Sequence, residues 1–492
     1  MNKFIEGLEN EENKKYTENG AEAFKSTKSH LLDFFAVSGA LRTRESEEIT
    51  SLFSKAYTEN ELLAMKALFY CRNIRGLGQG ERRTPRIIYK YLATIYPTIV
   101  EKNFDNIVKY GRWDDLFSLV DTKLETKMWD YVLTQLEKDY KSETPSLLAK
   151  WMPSLGASSQ FTKSLAKRFI KYITEKNKIN KIISARNYSH VLKFLRRKLK
   201  VVETAMCSNQ WDAIIYEGVP SKAMLNYKGA FKRHDENRFN EFISSVEKGE
   251  KKINSSTLFP YELVEPIIWG NHFNKVIEQQ WKALPNFVNE EHSAIVVADT
   301  SGSMNGLPIS IALSLAIYFA ERNKGDFKDK FITFSNRPHY HVLTGKTLFE
   351  RINNINIGDW DSNTNLELVF DLVLNTAING KLSQKDLPKT IIIVSDMEFD
   401  EATWVNNNNK FGFYNKMKQK FESNGYTIPS LVFWNVNARQ DTMHVCKDEQ
   451  NTLLVSGSSP SLFQTILSGE IINPFELMLK TLNNPIFDSV TI

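Results

Sequence analysis

Up to about residue 285 the chain alternates polar and apolar residues at helical spacing. In ENELLAMKALFYCRN, Leu62, Met65 and Phe69 stand at i, i+3 and i+7, which places them on one helical face. Comparable amphipathic stretches recur at 85–97, 125–140, 161–174, 190–206 and 236–247. Glycine, proline or asparagine punctuates most of the gaps, as in NIRGLGQGERR and KWMPSLGASS. This predicts an array of paired helices, with no fixed period that would mark exact repeats. From about residue 292 the pattern changes: apolar, β-branched runs (SAIVVAD, KFITFS, KTIIIVSD, PSLVFWNV and TLLVSG) alternate with helical segments. Strands apolar on both faces belong to a parallel sheet covered by helices on both sides, so the last third is read as a doubly wound α/β domain. ALPNFVNEEH, 283–292, breaks the helical pattern with a proline and charges, and the predicted domains are 1–285 and 292–480.

At 492 residues the chain exceeds what one hydrophobic core usually serves, in keeping with that division. Its 42% hydrophobic and 25% charged residues exclude collagen-like and disordered classes. Cys71, Cys207 and Cys446 are far apart and form no CxxC pair, which argues against a disulfide framework and against structural zinc. MNKFIEGLENEENKK carries charges where a signal peptide needs an apolar core, and no apolar run reaches the roughly 18 residues of a membrane span. The expectation is a cytoplasmic protein without membrane association.

The chemistry concentrates at the ends of two predicted strands. VVADTSGSM ends an apolar run at Asp299 and continues into Ser301 and Ser303. Ligands of open parallel sheets sit outside the carboxyl ends of the strands, where loops converge and helices begin, and Pro308 marks such a helix start. KTIIIVSDMEFD sets Asp396 in an equivalent place, and DWDSNTNLELVF offers Thr364 just ahead of an apolar helix. Hydroxyl and carboxylate oxygens are hard ligands, suited to Mg²⁺, Mn²⁺ or Ca²⁺ rather than zinc or copper. Helix capping alone would account for Asp299, Ser301 and Ser303 but not for Thr364 and Asp396. A haloacid-dehalogenase phosphatase needs a second acid where Ser301 stands, a serine hydrolase elbow needs G-x-S-x-G, and a P-loop needs a glycine where Tyr340 stands. With neither clustered carboxylates nor a nearby histidine base, binding rather than catalysis is expected.

Together these three segments resemble the metal-ion-dependent adhesion site of the von Willebrand factor A family: Asp-x-Ser-x-Ser, then a Thr, then an Asp. The resemblance implies that Ser301, Ser303 and Thr364 bind Mg²⁺ (or Mn²⁺ or Ca²⁺) directly, with Asp299 and Asp396 acting through water. It departs from the family at Asn363 and Met397, where glycines are common. A metal so held would accept an acidic side chain from a protein partner.

Net charge is +5, but its distribution is uneven: residues 161–200 hold thirteen Lys or Arg against one acid, Glu175, a net of +12 that leaves −7 for the rest. In FTKSLAKRFIKYITEKNK, Lys163, Lys167, Lys171 and Lys178 are spaced by four, four and seven, along one helical face, with Arg168 nearby and Phe161, Leu165, Phe169 and Ile173 on another. SARNYSHVLKFLRRKLK adds Arg186, His190, Lys193, Arg196, Arg197 and Lys200. Solvated faces usually mix signs, so a nearly acid-free stretch predicts contact with the phosphates of RNA. By contrast YGRWDDLF, with Trp113, Asp114 and Asp115, is expected to cap a helix and pack a core, and the glycines of NIRGLGQGERR fit either a turn or a phosphate nest.

RGLGQGERR, YGRWDDL, LLAKWMPS, the LRRKLKVVE run and VPSKAM, followed by VVADTSGSM, resemble the Ro-type (TROVE) RNA-binding proteins, and more closely a Ro-like family of viruses, fungi and plants. This resemblance, over about 30–470, implies a helical domain of HEAT-like repeats, a von Willebrand A domain, and a non-enzymatic ribonucleoprotein role. Ro proteins bind RNA ends in the hole of a ring and small structured RNAs on the outer surface.

Overall fold

The computed structural model describes residues 2–176, 182–288, 290–355, 363–403, 412–467 and 473–492. The chain divides into two compact units, one of Met1–Thr84 with Ser256–Asp488 and one of Pro85–Ser255 with Ser489–Ile492. This differs from the division that hydropathy predicts, because residues 1–84 and 256–285, helical in pattern, belong with the sheet. Amphipathicity shows that a face is buried, not what covers it.

In the first unit an N-terminal hairpin, β1 (Lys14–Tyr16) and β2 (Glu22–Phe24), precedes the main sheet. That sheet comprises β3 (Ala294–Asp299), β4 (Lys330–Phe334), β5 (Pro338–Val342), β6 (Thr390–Ser395), β7 (Ser430–Asn435) and β8 (Thr452–Ser456), in the order β5-β4-β3-β6-β7-β8. The five predicted apolar runs are the parallel strands β3, β4, β6, β7 and β8, with Val297 opposite both Ile332 and Ile393. β5 is an antiparallel edge that the hydropathy pattern missed: PHYHV opens on a proline and buries only His341, leaving Tyr340 and Val342 exposed. The architecture is thus a mixed six-stranded α/β sheet. From β3 the chain crosses to β4 on one side, and from β6 to β7 on the other, so a crevice opens at the carboxyl ends of β3 and β6.

Helix Leu307–Arg322, which follows β3, is buried continuously from Ile309 to Ala320, because the sheet lies on one side and helix Pro260–Gly270 on the other, tied by Trp269 Nε1 donating to Ser310 Oγ at 3.2 Å. At the far edge, helix His30–Val37 packs on β8. There Gly39 permits the close approach: a Cβ would meet Ser456 O at 2.8 Å and Gly457 Cα at 2.9 Å.

The second unit is helical. Predicted segments become helices Glu125–Lys141, Gln160–Lys176 and Glu236–Glu247. The stretch at 190–206 is two helices, Tyr188–Lys198 and Val202–Cys207, separated where Lys200 adopts a left-handed backbone (φ 49°). No glycine or proline announces that break. Trp129 anchors the core between Phe117 and Phe169, ring centroids 5.6 and 5.1 Å away. YGRWDDLF forms a short 3₁₀ turn in which Asp115 is fully buried, accepting from Arg112 N at 2.8 Å and Arg86 Nε at 2.6 Å. Among the described residues no helix is long and apolar enough to cross a membrane.

Candidate functional site

Asp299 is the last residue of β3 and is wholly buried. One carboxylate oxygen accepts Ser301 N at 2.9 Å and the other accepts Ser395 Oγ at 2.5 Å, so the loop turns back over the strand end. Ser301 Oγ and Ser303 Oγ are 3.2 Å apart; Ser301 is buried and Ser303 half-buried. Directly after β6, Asp396 is buried as well, and its Oδ2 accepts both Nε and Nη2 of Arg439, at 3.2 and 3.0 Å. Thr364, also buried, precedes helix Glu367–Gly380 and is fixed by its backbone: its N–H donates to Asp400 Oδ2 at 2.9 Å and its carbonyl accepts Asp400 N at 2.9 Å. The neighbouring Asn365 N reaches Ser335 O, just past β4.

All five predicted metal-site residues therefore lie at the carboxyl edge of one sheet, on the loops after β3 and β6 and ahead of one crossover helix. Burial pushes the Asp299 carboxyl up to about 7, the charge of Asp396 adding to the effect and the hydrogen bonds from Ser395 and Ser301 opposing it. Burial likewise raises Glu398 against hydrogen bonds from Glu18 N and the Thr442 hydroxyl. Of the two acids predicted at this edge, Asp396 is matched by Arg439 and Asp299 faces no cation among the described residues, so a bound cation would favour the ionised form of Asp299. The side-chain oxygens, hydroxyls and carboxylates, are of the kind a hard divalent ion takes; among the described residues no group of three or more His, Cys, Asp or Glu is placed to hold a metal ion.

Sequence reasoning missed four groups at this edge. Ser395 orients Asp299, and its signal was a hydroxyl beside an acid at a strand end. Arg439 follows β7, so a cation at the carboxyl end of the adjacent strand was the available clue. Glu18 and Asn19, from the β1–β2 turn, gave no signal. Glu18 accepts from Arg439 Nη1 at 2.7 Å, and Asn19 Nδ2 donates to Glu398 O at 2.6 Å.

In the helical unit the basic residues separate into two kinds. Lys163, Lys167, Arg186, His190, Lys193 and Arg197 are at least partly exposed and have no side-chain partner among the described residues, whereas Lys171 lies 3.7 Å from Glu175. Arg168 is paired with Asp121 (2.7 Å) and Glu125 (3.1 Å). Arg196 turns inward, donating to Ala149 O, Met152 O and Ser154 Oγ, each at 2.8 Å. Three of its five N–H donors are thereby engaged in holding the 149–154 segment, a structural role that the charge count does not reveal. Lys178 lies outside the described residues.

Residues 17–144 and 129–293 match the family model described as domain of unknown function DUF2828. The chain belongs to the DUF2828 family. Residues 293–483 of this DUF2828 protein match a second model, domain of unknown function DUF7788. It is also similar to Uncharacterized protein L728 of Acanthamoeba polyphaga mimivirus, 30% identical over 530 aligned positions that span 96% of this chain and 89% of that protein.

Proposed function

We propose that this DUF2828 protein is a non-enzymatic RNA-binding protein of Ro-like type, with HEAT-like repeats in its helical unit and a von Willebrand A-type sheet that holds Mg²⁺. The observation that carries the reading is the set of cations on helices Gln160–Lys176 and Tyr188–Lys198 that have no side-chain partner among the described residues: Lys163, Lys167, Lys193 and Arg197, with Arg186 just ahead of the second helix and His190 exposed beside them as a further polar group. Cations without acidic partners are free to exchange their counterions for phosphates. Exposed Phe161 and Phe194, 71% and 46% accessible, offer ring faces beside those cations on which unstacked bases would lie, which favours single-stranded RNA. At the sheet edge the groups are hydroxyls and two acids, one of them matched by Arg439, a set that suits holding a cation more than hydrolysing a substrate.

The test is binding of fluorescent single-stranded RNA by the full chain across a salt series. A steep, linear fall of log affinity with log salt is expected. A flat dependence, or no retention at the lowest salt, overturns the reading.

A second reading, a metal-dependent adaptor, draws support from Ser303, half-exposed beside buried Ser301. A cation there would present an open position to an acidic side chain of a protein partner. In that case Ser301→Ala with Ser303→Ala abolishes partner capture and leaves RNA affinity unchanged.

A further inference from the structure

The turn of the N-terminal hairpin lies on the cation edge. Thr17 Oγ1 donates to Phe399 O at 2.6 Å, Glu18 N to Glu398 Oε2 at 2.7 Å, and Asn19 Nδ2 to Glu398 O at 2.6 Å. Asn19 Nδ2 also stands 3.5 Å from Thr364 Oγ1, a hydroxyl assigned to the cation. The fastening is electrostatic as well. Arg439 divides its guanidinium between two acids: Nη1 donates to Glu18 at 2.7 Å, while Nε and Nη2 donate to Asp396. One residue therefore links the hairpin to an acid of the site, and the hairpin covers a hydroxyl of the same site.

From this we infer that the turn at 17–21 is an internal strap over the cation edge, latched by Arg439, and that strap docking and divalent-cation binding oppose one another. The inference rests on reading the edge as a cation site. Arg439 supplies Asp396 with positive charge that a bound cation would otherwise supply. A divalent ion beside Asp396 repels the guanidinium and competes for the same carboxylate, which weakens the Arg439 bridge to Glu18. The coupling is reciprocal: whatever factor the docked strap takes from cation affinity, the bound cation takes from strap docking. An external acidic ligand would then reach the edge only in the cation-loaded, strap-released state.

The experiment uses the full chain with Mn²⁺ as probe, its binding followed by the electron paramagnetic resonance of the free ion and strap docking by hydrogen exchange of residues 14–24. Mn²⁺ is expected to accelerate exchange across 14–24. Arg439→Gln is expected to exchange fast there without cation and to bind Mn²⁺ about tenfold more tightly. Glu18→Gln, at an exposed position, is expected to accelerate exchange in the same segment with a smaller gain in affinity. If Mn²⁺ binds, and binding is lost in Ser301→Ala/Ser303→Ala, yet exchange of 14–24 is unchanged or slowed and both strap variants bind like the wild type, the strap is overturned while the cation site stands. If neither the wild type nor either strap variant binds Mn²⁺, both fall together.

Discussion

The carboxyl edge of the sheet in the α/β unit and the basic face of the helical unit are both clusters of polar residues, built on opposite principles. At the edge, Asp299, Ser301, Thr364 and Asp396 are buried and hydrogen-bonded to the loops that carry them, so each position is fixed by its neighbours. On the face, Lys167, Lys193 and Arg197 project into solvent, and only their number and sign are specified. Buried oxygens must be satisfied or charged against something, which restricts which residues stand where. Exposed cations carry no such obligation, and their net attraction to phosphate survives the exchange of one for another. Arg196 and Arg197 bring the two principles side by side on one helix, the first fastened to two buried carbonyls and a half-buried hydroxyl and the second without a side-chain partner among the described residues.

Those two arginines give the largest expected effect. Arg196→Ala removes three charged hydrogen bonds and leaves the carbonyl of fully buried Ala149 without its donor, a loss of about 4 kcal/mol in unfolding free energy. The urea midpoint should drop accordingly, while Arg197→Ala melts like the wild type. Equal melting of the two variants would erase the distinction between fastened and free cations.

Next in size is an acid sensitivity beneath the carboxyl edge of the sheet. His444 is fully buried between Phe399 and Phe433, its Nε2 2.9 Å from Met397 O, and burial pushes its pKa down to about 4 from an ordinary 6.5. Between those two values the unfolded chain takes a proton that the folded chain refuses. Stability is therefore complete above pH 6.5 and falls on acidification, by about 3 kcal/mol when pH reaches 4. Buried His341 is likewise pushed down to about 4, by burial and the neighbouring His339, and adds to the same acid loss. Urea melts from pH 7 to pH 4.5 should show a shallower acid loss in His444→Phe than in the wild type; parallel curves would remove His444 from the account.

The same contrast explains what could be read along the chain. The five parallel strands were legible because strands buried on both faces must be apolar throughout, as AIVVAD and TIIIVS are. β5 was not, since an edge strand needs only one buried residue in PHYHV. Helices were legible from period, but not the partners of their buried faces, which is why residues 1–84 were expected with the helical half. At the site, Asp299, Ser301, Ser303, Thr364 and Asp396 follow from local motifs at strand ends. Glu18, Asn19 and Arg439 come to that edge from about 380 residues upstream and about 43 downstream of Glu398 and Asp396, separations at which no spacing rule operates. Arg196 and Arg197 look alike in a charge count because the count is blind to which way a helix turns them.

Three smaller effects separate the clusters functionally. Ser301→Ala with Ser303→Ala deletes two hydroxyl donors and should weaken Mn²⁺ binding about a hundredfold, near 2.7 kcal/mol, with RNA affinity unchanged. If RNA affinity falls in step, the two clusters are not independent. Smaller changes are expected on the basic face. Lys193→Ala with Arg197→Ala removes two free cations of one helix, which should reduce the magnitude of the salt slope for single-stranded RNA by about 1.4 and lower affinity about tenfold at moderate salt. Phe194, between them in sequence and in ring contact with Tyr140 at 5.3 Å, tests a different term. Phe194→Ala should cost about 1 kcal/mol of affinity while leaving the salt slope as it was, because stacking releases no counterions. A Phe194→Ala variant with an altered slope would mean that the ring positions the cations rather than meeting bases, and a double variant with an unaltered slope would place the phosphate contacts on Lys163, Lys167 and Arg186 instead.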